Sequence, residues 1–121
     1  MSNTGLYSGL YSRLRDHAEL LDRVLIDLKT GNSSPSDKER QKLAQLLTGL
    51  RKSPSDDFST QLLAILLRNV EKSNLAEWEK IGRILLSTEV NADVIAKLEK
   101  LANTLEYERA GIFARMRGGY A

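Results

Sequence analysis

Apolar residues recur along this chain at helical spacing, in five stretches parted by short polar breaks. In the first, Tyr7, Tyr11, Leu14, Ala18, Leu21, Leu25 and Leu28 follow alternating steps of four and three, with Arg13, Asp16, Glu19, Asp22, Arg23 and Asp27 on the other faces. This predicts a long amphipathic helix over 5–29. Lys29 suits its last turn, and Gly31 is expected in the left-handed conformation that ends it. The second stretch opens with Ser34-Pro35-Ser36-Asp37. Ser34 can cap with Pro35 at the first helical position, and Ser36 with Glu39 offers a second capping register. That helix is expected to reach about Lys52 on a narrow face of Leu43, Leu46, Leu47 and Leu50.

The start signal repeats as Ser53-Pro54-Ser55-Asp56, ahead of the densest apolar run, Leu62 to Leu67, with Phe58 and Val70 in helical register on either side. A helix that is apolar nearly all round must be covered on most sides. The reading is therefore a central helix over 54–72. Ser73 or Asn74, with Glu77, caps a fourth helix carrying Leu75, Trp78, Ile81 and Leu85, with Ile84 alongside. After a loop at Ser87–Val90, Thr88 or Asn91 caps a fifth helix over about 91–117. Its stripe is Val94, Leu98, Leu101, Leu105, Ile112 and Met116, interrupted by Glu106, Glu108 and Arg109. The first half is expected in the core and the second half to project. The predicted fold is all-α: a single-domain five-helix bundle over 1–121, its long first and last helices around a central apolar helix, with a flexible end at 118–121.

Composition changes this picture little and narrows the chemistry. The chain has 121 residues, enough for one modest core, with 41% apolar and 28% charged residues. Two prolines and few β-branched residues favour helix throughout. There is no cysteine, so no disulfide, thiolate metal site or cysteine nucleophile can form. The N-terminus lacks a basic segment followed by a long apolar run, and no stretch is long enough to span a bilayer. These features predict a cytoplasmic protein with no membrane contact.

His17 is the only histidine, and one histidine cannot build a zinc site. Asp16, Glu19 and Asp22 are paired at i,i+3 spacing on an outer face near Arg13 and Arg23, which reads as ion-paired surface. No Gly-x-Ser-x-Gly nucleophile context and no phosphate-binding loop is present. The expectation is a non-enzymatic protein with no metal and no cofactor.

Net charge is only +2, so charge matters here through its distribution. The second helix carries Lys38, Arg40, Lys42, Arg51 and Lys52 against Asp37 and Glu39. The C-terminal thirteen residues hold Arg109, Arg115 and Arg117, interleaved with Phe113 and Tyr120, and no acid. Arginine with aromatics suits a nucleic-acid backbone and its unstacked bases. Tyr7 and Tyr11 suit either core or an interface with another chain. Size, helical content, the basic second helix and Arg115-Met116-Arg117-Gly118-Gly119-Tyr120 together resemble the small helical subunits of CRISPR effector complexes. That resemblance implies stacking of copies in a larger assembly and contact with RNA or single-stranded DNA. It would place phosphate neutralisation on Lys38, Arg40, Lys42, Arg51, Lys52, Arg115 and Arg117. Partner contacts would fall to Tyr7, Tyr11, Phe113 and Tyr120. Arg40→Glu with Lys42→Glu is expected to leave the fold intact, since both are placed on the polar side. The alternative is a protein-binding adaptor, chaperone or inhibitor that captures a partner helix on an apolar face.

Overall fold

The computed structural model describes residues 4–32, 34–50 and 58–118. It contains five α-helices: α1 (Thr4–Thr30), α2 (Lys38–Gly49), α3 (Phe58–Asn69), α4 (Leu75–Leu85) and α5 (Ala92–Gly118). A single 3-10 turn, Val70–Lys72, continues α3. No strand occurs among the described residues, and the fold is all-α as the periodicity predicts.

The ends of the helices follow local chemistry. Gly31 has φ +76°, and the amide of Asn32 donates to the carbonyl of Asp27 at 3.2 Å, which closes α1 in a Schellman motif. α2 begins later than the Ser-Pro signal suggests. Ser34–Asp37 is a turn, with the Asp37 amide donating to the Ser34 carbonyl at 2.9 Å. Asp37 is the cap, accepting from the amides of Glu39 at 2.8 Å and Arg40 at 3.3 Å. The turn at Ser34–Asp37 carries both serines away from the helix start and leaves Asp37 facing its first free amides. Asn74 caps α4 by accepting from the Glu77 amide at 2.9 Å, while its own amide group donates to the Glu77 carboxylate. Asn91 caps α5 through the Val94 amide at 3.0 Å.

Packing departs from the expected centre. α1 lies along α5 and α2 along α4, and these two pairings are the most extensive in the fold. α3 is not enclosed. Leu63, Leu66, Leu67 and Val70 are buried, but Ile65 on the opposite side is 50% exposed. The long stripes of α1 and α5 match one another over many turns, so they bury each other first, and α3 is left to cover what remains.

The second half of α5 does not project as expected. Ile112 is buried, and the Phe113 ring packs on Tyr11 with centroids 5.7 Å apart. Lys29 pairs with Glu99 near the other end, so α1 and α5 run antiparallel. The core joins Leu14, Ala18, Leu21, Val24 and Leu25 of α1 to Val94, Leu98, Leu101, Leu105 and Ile112 of α5. Leu43, Ala44 and Leu47 of α2, Leu63, Leu66, Leu67 and Val70 of α3 and its 3-10 turn, and Trp78, Ile81 and Leu85 of α4 complete it. α2 and α4 approach closely at Gly82. A Cβ there would lie 2.9 Å from the Ala44 carbonyl oxygen and 2.8 Å from Thr48 Cγ2.

Candidate interaction surface

The basic residues assigned to one nucleic-acid face do not share one. Arg40 is 4% exposed and points into the bundle. Its Nε donates to the Leu85 carbonyl and its Nη2 to the Ser87 carbonyl, both at the end of α4. Burial pushes the guanidinium pKa below its ordinary value, with Asp37 acting in the opposite direction. The pattern misled because α2 has a narrow apolar face. Arg40 falls at the i−3 and i−4 positions of Leu43 and Ala44, and so shares their side of the helix. The orphan carbonyls closing α4 then take its donors in place of water.

Lys38 and Lys42 are exposed on the opposite side of α2. Arg51, Lys52 and Tyr120 lie outside the described residues, as do the side chains of Tyr7, Arg115 and Arg117. The backbone still limits how the two basic stretches meet. α2 starts against α1 at Arg23, whose Nη1 bonds the Glu39 carboxylate at 3.0 Å, whereas α5 approaches its end against Tyr11. The α1 segment between them is about 18 Å long.

Several other cations are held within the chain. Lys29 pairs with Glu99, Arg83 with Glu79 at 3.4 Å, and Lys97 with Glu77 at 2.8 Å. Lys97 also sits 5.6 Å above the Trp78 ring. Arg109 is half-buried with its guanidinium carbon 5.9 Å from the Tyr11 ring centroid. Tyr11 is therefore engaged within the fold, while its ring partner Phe113 keeps 43% of its surface exposed.

His17 is half-buried on α1. The carboxylates of Asp27, Asp37 and Glu39 gather within 4.8 Å of one another, a cluster distinct from the Asp16/Glu19/Asp22 pairing read from the sequence. Asp37 is occupied by its cap and Glu39 by Arg23, which accounts for two of the three.

The α1–α5 pair also carries a groove of mixed polarity with exposed apolar side chains beside it. This groove is lined by Asp22, Leu25, Ile26 and Lys29 on one side and Glu99, Ala102 and Asn103 on the other. Ile26 is 60% exposed. From Asn103 the surface continues along the outer side of α5 past Glu106, Tyr107, Ala110 and Gly111. Tyr107 is 74% exposed. Asn103, Tyr107, Ala110 and Ala114 repeat at steps of four and three on the side opposite Leu98, Leu101 and Leu105, a second stripe behind the core stripe. Sequence reasoning missed Ile26 because it sits one position off the α1 stripe beside Leu25. It missed Tyr107 because it falls inside the charged interruption Glu106–Arg109.

Among the described residues no helix is long and apolar enough to cross a membrane. Comparison with protein-family models, with curated proteins and with solved structures gives no match.

Proposed function

We propose that this chain is a non-enzymatic helical subunit that joins a larger assembly through protein contacts on the outer side of the α1–α5 pair. The observation that carries this reading is the exposure of Ile26 and Tyr107 in two adjoining concavities on the α1–α5 pair. Large apolar side chains exposed in two adjoining concavities that share Asn103 suit a surface that another chain covers. Ala102, Ala110 and Gly111 leave room for a partner helix to approach closely, the helix-in-groove mode of recognition. The sequence offers no nucleophile, base and orienting group in a catalytic arrangement, which agrees with a binding role.

The nucleic-acid reading, and with it the CRISPR small-subunit resemblance, keeps Lys38 and Lys42 on the open side of α2 but loses Arg40 to the fold. It stands second for that reason.

One experiment separates the two. The tagged wild-type chain and an Ile26→Asp/Tyr107→Asp variant are purified from native cells, and co-purifying proteins are compared. Both proteins are then titrated with fluorescent single-stranded RNA at two salt concentrations. Stoichiometric protein partners held by wild type and lost by the variant, at unchanged helicity, support the apolar interface. Partners retained by the variant, together with steeply salt-dependent RNA binding abolished by Lys38→Glu/Lys42→Glu, overturn it in favour of the nucleic-acid reading.

A further inference from the structure

The five helices are not held equally. α1 is packed along α5 and α2 along α4, whereas α3 divides one buried face among α1, α4 and α5. That face is Leu63, Leu66, Leu67 and Val70, and the back of the helix carries the half-exposed Ile65. The exit from α3 is strained. The helix tightens into a 3-10 turn at Val70, and Lys72 then adopts φ +57°, a left-handed conformation that costs a residue with a side chain. One polar contact closes the arrangement. The Trp78 indole N–H, fully buried on α4, donates to the Leu67 carbonyl in the last turn of α3 at 2.8 Å.

We infer that α3 detaches from the bundle as a unit while the other four helices stay folded, pivoting at Lys72–Ser73, with the Trp78 indole as its latch. The two main helix pairs also meet without α3, where α1 lies against α2 and where Lys97 of α5 pairs with Glu77 and sits over the Trp78 ring of α4, so these contacts survive its departure. Relief of the Lys72 backbone favours opening, and loss of the Leu67–Trp78 bond and of the burial of Leu63, Leu66, Leu67 and Val70 opposes it. The balance sets α3 apart as the first segment to open, in the way that cooperative subunits of a fold open at different free energies. Opening also uncovers Trp78, the only tryptophan of the chain.

Native-state hydrogen exchange of the full chain, followed through rising urea below the unfolding transition, tests this. Amides of Leu63–Asn69 are expected to exchange at least about tenfold faster than those of Leu21–Leu25 and Leu98–Leu105, through an opening with a smaller urea dependence. Leu66→Ala should speed the α3 amides about tenfold or more and leave the α1 and α5 amides within about twofold of wild type. Acrylamide quenching of Trp78 should rise with it. Equal rates and urea slopes for all three helices in wild type overturn the inference. So does a Leu66→Ala protein in which α1 and α5 lose protection in step with α3, or one that does not fold.

Discussion

Arg40 shows how much one residue's role depends on where its donors end up. Its guanidinium replaces water at the carbonyls of Leu85 and Ser87, so truncation leaves one buried and one half-buried acceptor unpaired. Arg40→Gln is expected to destabilise the protein by roughly 2–3 kcal/mol in urea unfolding. Arg40→Lys should restore little of this, because a single ammonium cannot reproduce the two-pronged fork. Lys42→Glu, on the exposed side, should stay within about 0.5 kcal/mol of wild type. The Arg40→Glu/Lys42→Glu pair therefore cannot serve as a surface-charge control, contrary to what the polar placement of both residues suggests. Gly82 makes a second contrast. Alanine is the better helix former by about 1 kcal/mol, but at Gly82 its methyl group would press on the Ala44 carbonyl, which is backbone and cannot yield cheaply. Gly82→Ala should lower the thermal midpoint. Gly111→Ala, where nothing lies within 4 Å, should raise it.

At the scale of the element, local chemistry sets where each helix begins and ends. Asp37→Ala removes a carboxylate that accepts two amides, and a loss of about 1–2 kcal/mol is expected in chemical denaturation. At the far end of α3, Lys72→Gly should relieve the left-handed backbone and stabilise the fold by up to about 1 kcal/mol. A destabilised Lys72→Gly protein would mean that the strain at this turn has been misjudged. The stop at Gly31 was legible in the sequence, and the caps of α4 and α5 were narrowed to Ser73 or Asn74 and to Thr88 or Asn91, since each depends on residues within one turn. The cap at α2 was missed: the sequence pointed to Ser34 or Ser36, and Asp37 holds the position. Only the backbone path decides which of them reaches the amides.

For the whole molecule, the α1–α5 pair is the structural spine. Leu98→Ala should cost about 2–5 kcal/mol and lower protection in every helix, because Leu98 is fully buried in the core that joins α1 to α5. The exposed Lys29–Glu99 pair stitches the same helices, yet Glu99→Gln should change stability by less than about 1 kcal/mol. The spine is thus held by apolar burial, and the exposed ion pair along it adds little.

Read alone, the sequence determined the helical class, the number of helices, most of their limits, and the stripes Leu14–Ala18–Leu21–Leu25 and Val94–Leu98–Leu101–Leu105 that form the core. These follow from periodicity and capping, which act over a few residues. Tertiary structure decided which stripes face one another, and so placed α3 at the side and the end of α5 against Tyr11. It also turned Arg40 inward and left Ile26 and Tyr107 outside. Such outcomes depend on which long surfaces match best and which distant carbonyls need a donor. No local pattern in the chain encodes either one.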